Sequence, residues 1–209
     1  MHSGHVLEGD TVADRVTLFS SAITQAECQH IIELAIPLVK TSIVSGEKGG
    51  FVSPGRKSSN CWIAHNTTNI TRDVCRRIAN TVNMSLDHAE KMQVIYYPQG
   101  GEYKPHYDGW EHDNSEKQRR VMKRGGQRLL TALVYLNDVE EGGGTIFPRK
   151  NVTVEAKMGN MVVFSNCEDN TNKKDDQSLH GGMPVIKGEK WAFNLWFREA
   201  PITKIMYQT

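Results

Sequence analysis

Two helical segments followed by a run of short strands predict an α+β chain whose core is a β-sandwich or jelly roll. Three observations carry this reading. Apolar residues recur at helical spacing within 24–40 and 71–86. From Met92 onward, short apolar segments are separated by turn residues. The 209 residues suffice for one domain whose core needs no disulfide or metal staples.

The elements follow in chain order. Residues 1–14 read as a tail, of the kind a tag or trimming leaves, ahead of one domain over 15–209. They lack the charged and apolar pattern of a secretory leader. Thr24 and Glu27 make a T-x-x-E capping box that opens the first helix. Cys28, Ile31, Ile32, Ala35, Leu38 and Val39 then share its apolar face, and Pro37 should kink or end it. The second helix groups Val74, Ile78 and Val82. Between them, Ser45 to Ser59 is rich in Gly and Ser and reads as a mobile loop. Gly109 to Gly126 is dense in charge and reads as a solvated loop or a lid, and Asn166 to Ser178 reads the same way. Candidate strands are 92–97, 102–108, 128–137, 144–147, 152–156, 160–165, 182–187 and 190–198.

Composition narrows the function classes. Lys+Arg 25 against Asp+Glu 24 leaves a net charge of +1, so no global field favours nucleic acid or an anionic membrane. A local patch from Lys117 to Arg128 is the exception to that argument. The longest apolar run, Leu129 to Leu136, is too short to span a membrane. Cys28, Cys61, Cys75 and Cys167 could make two bridges or none. Sequons at Asn66, Asn69, Asn83 and Asn151 lean toward a secretory lumen.

The chemistry begins at His106-Tyr107-Asp108. On a strand, His106 and Asp108 point to one face and can offer a nitrogen and an oxygen to one metal. With eight His and ten Asp in the chain, an H-x-D triplet arises by accident about 0.4 times, so the pair alone is weak. His180 completes a two-histidine, one-carboxylate set, the ligand type that leaves open positions on Fe(II). Zinc is the competing metal, although cysteine ligands at motif spacing are absent. Ten residues on, Lys190 opens a strand in which Lys190, Ala192, Asn194, Trp196 and Arg198 share one face. Trp191, Phe193, Leu195 and Phe197 form the other, core-packing face. A buried lysine near a metal is best explained by an anion that binds it.

These residues resemble a known family. Residues 93–108 (QVIYYPQGGEYKPHYD), 125–137 (GGQRLLTALVYLN), 142–148 (GGGTIFP) and 178–185 (SLHGGMPV), with the His180–Lys190 spacing, are similar to prolyl 4-hydroxylases. Those enzymes are iron(II)- and 2-oxoglutarate-dependent dioxygenases, and the likeness runs in order over about residues 15–200. The resemblance implies a double-stranded β-helix (jelly-roll) core with N-terminal supporting helices. It implies that His106, Asp108 and His180 hold Fe(II), and that Lys190, Tyr97 and Thr145 hold the far carboxylate of 2-oxoglutarate. Tyr103, Arg128 and Trp196 become candidates for contact with a proline-rich peptide. The implied reaction hydroxylates peptidyl proline at C4 in proline-rich or collagen-like sequences. It consumes O2, decarboxylates 2-oxoglutarate to succinate, and uses ascorbate as reductant. A monomer without a nucleic-acid partner is expected. The expected compartment is the endoplasmic reticulum lumen for a eukaryotic source, and the cytoplasm or a virus-infected host otherwise.

Two positions depart from the family pattern: Gly144 replaces a usual polar residue, and Arg198 stands where many relatives place His. Three alternatives stay open at this point. One is a related dioxygenase acting on another protein residue, a free amino acid or a nucleobase. The others are a jelly-roll binding module with a structural or vestigial metal, which loss of the iron ligands would favour although all three are present, and a cupin-type metal-dependent isomerase, which does not explain Lys190 or Tyr97. Succinate formation separates the oxygenases from these two.

Overall fold

The computed structural model describes residues 7–42, 44–46, 49–51 and 55–202. The elements run β1 (Asp10–Ala13), β2 (Val16–Phe19), α1 (Gln25–Ala35), β3 (Lys40–Thr41), β4 (Val44–Gly46), β5 (Gly49–Phe51), β6 (Ser59–Ile63) and α2 (Asn69–Thr81). There follow β7 (Met92–Tyr97), β8 (Tyr103–His106), α3 (Glu116–Met122), β9 (Arg128–Tyr135), β10 (Glu141–Gly142), β11 (Thr145–Phe147) and β12 (Val152–Val154). The chain continues through β13 (Met161–Ser165), β14 (His180–Gly182), β15 (Val185–Lys187) and β16 (Lys190–Arg198).

Two antiparallel sheets make the expected α+β jelly roll. The larger has the order β1-β2-β13-β9-β16-β7-β6-β3, and the smaller β12-β11-β14-β8. Period-two alternation gives each strand of the larger sheet two jobs. Ala132, Val134, Phe193, Leu195 and Phe197 pack against Cys28, Ile31, Val74 and Ile78 of α1 and α2. Leu133, Tyr135, Phe164 and Ala192 point the other way, onto Phe147 and Val154 of the smaller sheet. The helices therefore brace one face and leave the other to the interior of the roll. Phe193 has no exposed surface. Phe193→Ala should cost about 3–5 kcal/mol, read as a lower urea midpoint at unchanged slope.

Several elements differ from the sequence reading. The first helix stops at Ala35, because Ile36 and Pro37 close it and the backbone N–H of Leu38 turns back to the Ala35 carbonyl. Its capping box forms as expected, with Glu27 N–H on the Thr24 hydroxyl and Thr24 N–H on the Glu27 carboxylate. The second helix starts earlier, through a capping box between Thr68 and Thr71. It ends before Asn83, whose φ of 52° leaves the helical region. Asp10–Ala13, assigned to the tail, forms the edge strand against β2. The segment read as 182–187 is two strands split at Met183 and Pro184, and proline withholds a ladder hydrogen bond. Of the loop read over 45–59, residues 47–48 and 52–54 lie outside the described residues, as do 1–6 of the tail. The loop contains the β4–β5 hairpin, and Ser59 begins β6. The charged stretch 109–126 carries α3, capped by the Ser115 hydroxyl on the Gln118 N–H. All four cysteines are buried and unpaired. No helix among the described residues is long and apolar enough to cross a membrane.

Candidate active site

Strand register assembles the candidate metal-ligand set. β14 pairs with β8 so that His180 lies opposite His106, and Asp108 follows just past the end of β8. One ligand atom from each residue lies within 4.8 Å of the others. His106 Nε2 is 3.7 Å from Asp108 Oδ1, and His180 Nε2 is 3.5 Å from Asp108 Oδ2.

Backbone carbonyls orient both rings. His106 Nδ1 lies 3.0 Å from the Lys104 carbonyl, and His180 Nδ1 lies 2.9 Å from that of Ser178. A carbonyl only accepts, so each Nδ1 carries the proton and each Nε2 is left as a lone-pair donor toward the cluster. Burial and the neighbouring His180 lower the His106 imidazolium to about 3, so the ring is neutral at pH 7. Asp108 is held in the same way. Its Oδ2 accepts from Thr131 Oγ1 at 2.8 Å and from Trp196 Nε1 at 2.7 Å. Burial pushes the Asp108 carboxyl up, but the two imidazoles, Arg128 and the Trp196 N–H outweigh it and bring it to about 2. Two imidazoles that turn Nε2 toward the cluster and one ionised carboxylate, each fixed by an outer partner, fit a divalent iron.

The outer partners yield a prediction. Asn166 Nδ2 donates to Thr131 Oγ1 at 2.8 Å, so the Thr131 proton is directed onto Asp108. Thr131→Val should weaken metal binding about 10–100-fold, measured by anaerobic titration with Fe(II) or Co(II).

A narrow inner pocket runs from the cluster to Lys190, lined by Tyr97, Thr145, His180 and Asn194 among others. Register sets Lys190 opposite Tyr97. The ammonium lies 5.4 Å from the Tyr97 ring centre and 5.3 Å from that of Tyr135. The Tyr135 hydroxyl donates to Thr145 Oγ1 at 2.8 Å. Burial lowers Lys190 from its ordinary 10.5 to about 7. No carboxylate among the described residues pairs with it. A buried ammonium flanked by neutral hydroxyls suits one carboxylate end of a small diacid.

The inner pocket opens on a cleft of about 840 Å³, with Tyr103, His106 and Asn194 lining both. Tyr103, Arg128 and Trp196 all line this cleft, and each also has a structural task. Tyr103 stacks on His106 at 3.6 Å. Trp196 commits its N–H to Asp108. Arg128 lies 3.6 Å over the Trp196 ring and grips both oxygens of Glu90, at 2.6 and 2.8 Å. Arg198 reaches the same carboxylate at 2.8 Å. It also donates to the carbonyls of Val121 and Gly126 at 2.9 and 2.8 Å, fastening the end of α3 to β16. Burial would raise the Glu90 carboxyl, yet the two guanidiniums keep it below its ordinary range. Gln127 fixes the start of the α3 segment, since its side-chain amide accepts from the Trp110 N–H and donates to the Trp110 carbonyl. At the other departure from the family pattern, Gly144, an added Cβ would lie 2.8 Å from the Val154 carbonyl, so a larger residue there needs the strands to shift.

The sequence reading passed over Glu90, Thr131, Asn166 and Tyr135. Tyr135 and Thr131 were open to detection, because alternation along 128–137 places them with Leu133 on the interior face. Glu90 and Asn166 gave no such signal, since both come from connecting segments.

Comparison with known proteins agrees with this geometry. Residues 92–198 match the family model described as the 2OG-Fe(II) oxygenase superfamily. The chain is 33% identical over 205 residues to the probable prolyl 4-hydroxylase 10 of Arabidopsis thaliana, covering 88% of this chain and 68% of that protein. It is 36% identical over 183 residues to the putative prolyl 4-hydroxylase of Acanthamoeba polyphaga mimivirus, covering 87% and 73%. The viral collagen prolyl hydroxylase of Paramecium Bursaria Chlorella virus-1, solved with 2OG, superposes with a TM-score of 0.69 at 28% identity, covering 88% of this chain and 97% of that one. Fold, ligand set and likeness converge: the chain belongs to the prolyl 4-hydroxylase family of the 2OG-Fe(II) oxygenase superfamily.

Proposed function

We propose that this protein hydroxylates peptidyl proline at C4 in proline-rich or collagen-like segments, using Fe(II), 2-oxoglutarate and O2, with ascorbate as reductant. The observation that carries this reading is the chain of two connected spaces. A narrow, cationic pocket ending at Lys190 leads past the His106–Asp108–His180 cluster into a wider cleft floored by aromatic rings. The first offers a cation and hydroxyls to one end of a small diacid, and the second has room for an extended chain. His106, Asp108 and His180 would hold the iron, which would use O2 as the oxidant and 2-oxoglutarate as the co-reductant to break a C–H bond.

The protein's own part is placement. Lys190 would anchor the far carboxylate, with the Tyr97 and Thr145 hydroxyls beside it. Trp196 and Thr131 would keep Asp108 ionised and correctly turned. Tyr103, stacked on His106, would shape the entrance through which a proline ring reaches the cluster. A polyproline II segment needs little ordering to lie along such an aromatic-lined cleft.

The test incubates a proline-rich peptide with the protein, Fe(II), 2-oxoglutarate and ascorbate. The expected result is one added oxygen per turnover on proline, matching succinate, and co-elution of the hydrolysed residue with 4-hydroxyproline. Succinate without any modified proline would redirect the search to another substrate of the same chemistry.

A further inference from the structure

The chain as a whole is almost neutral, yet its cleft is not. Six cations and three carboxylates line it among the described residues. Arg128 pairs with Glu90, and Lys174 with Glu111 and Asp176. Asp108 belongs to the metal cluster. Asp113 lies near Lys117 and accepts from the Ser115 N–H. The other charged residues of the lining are Arg56, Lys117, Arg120 and Arg124. Lys117 and Arg120 stand one turn apart on α3, and Arg124 follows in the turn beyond it.

A second observation points to a ligand. Arg56, on another element of the cleft wall, is 8% exposed, and its Nη2 finds no hydrogen-bond partner among the described residues. Its Nε is satisfied by Ser58 at 3.0 Å, and its guanidinium rests over the Tyr103 ring at 4.7 Å. A buried guanidinium nitrogen with no partner among the described residues is a donor for an incoming acceptor beside the entrance.

We infer that the cleft selects acidic peptides: its substrate carries Asp or Glu close to the target proline, held between α3 and Arg56. This deepens the hydroxylase reading and rests on it. α3 is positioned for such a role. Arg198 and Gln127 fasten both ends of its segment to the large sheet, so its cations form a fixed wall. Lys117 and Arg120 are half-buried and Arg124 is exposed, so the wall should act through partly screened attraction, sensitive to salt.

The experiment uses three proline peptides that differ only in the residues flanking the proline: Glu, Gln or Lys. Each is assayed for hydroxylation, and each is titrated into metal-free protein by tryptophan fluorescence, which Trp62, Trp110 and Trp196 in the cleft should report. At low salt the Glu peptide should exceed the Lys peptide about three- to tenfold in kcat/KM and in affinity, with the gap closing near 0.5 M salt. Lys117→Glu combined with Arg124→Glu should invert the ranking, and Arg56→Gln should lower the preference without inverting it. Equal turnover and binding of all three peptides at low salt overturns the inference and leaves the hydroxylase reading intact. Tighter binding of the Glu peptide with no proline oxidised in any peptide keeps the acidic preference and removes the hydroxylase reading. An oligothymidylate that displaces the Glu peptide with a lower Kd assigns the wall to nucleic acid and also overturns it.

Discussion

His180→Ala should abolish turnover. Loss of one of the three proposed ligands should exceed the 10–100-fold typical of losing an outer partner, so activity should fall more than about 100-fold. His180 packs on the rings of Phe147 and Phe164, at 6.1 and 4.5 Å, so the truncation also opens a cavity. Asp108→Asn avoids that problem: it keeps the shape, and its oxygen can still accept from Thr131 and Trp196. Both variants should lose stoichiometric iron in elemental analysis, while the asparagine variant keeps a wild-type circular dichroism spectrum. A His180→Ala protein with full activity and full iron would remove the site assignment.

Lys190→Met should have an effect of similar size on a different step. Removing the cation leaves a diacid's carboxylate buried without a partner, which typically costs on the order of 2–5 kcal/mol, a rise in the KM for 2-oxoglutarate of roughly 30-fold or more. Iron binding should persist, because the lysine is not part of the metal cluster.

The same substitution carries a stability signature. The folded-state ammonium titrates near 7, below its ordinary 10.5, because burial disfavours its charge. Between those values the unfolded chain holds a proton that the folded chain lacks, so this group makes stability rise with pH through that window. Below pH 7 the folded protein carries the whole penalty, on the order of 5 kcal/mol. The metal-free protein should therefore gain stability relative to Lys190→Met as pH rises from 7 to 10, measured by urea unfolding of both at each pH. Parallel curves would show that Lys190 is better solvated than its position indicates.

How much of this was legible in the sequence differs from part to part. β16 was fully readable, because its nine residues alternate without interruption and sort cleanly between helices and interior. The His106, Asp108 and His180 cluster was readable because motif spacing and family likeness agreed. The first helix was read too long because apolar spacing continues to Val39, while Pro37 removes the donor that would continue it. β1, β6 and α3 were not legible: two are polar or short edge-region strands, and the third lies in a stretch whose charges conceal a helix held mainly by Val121 and its caps. The outer partners of the site escaped for a different reason. A hydroxyl such as Thr131 or a carboxylate such as Glu90 acquires its role only through residues far away in the chain, which local pattern cannot supply.

Glu90 shows what that non-locality entails. One carboxylate serves Arg128 in the cleft floor and Arg198 behind α3, and its own backbone N–H donates to the Trp196 carbonyl. Remodelling these parts is therefore not a set of independent choices. Losing Glu90 alone strands two buried guanidiniums side by side, so effects at Glu90, Arg128 and Arg198 should be strongly non-additive. Drift toward a different cleft wall thus has a narrow route, in which the three positions change together or the carboxylate stays.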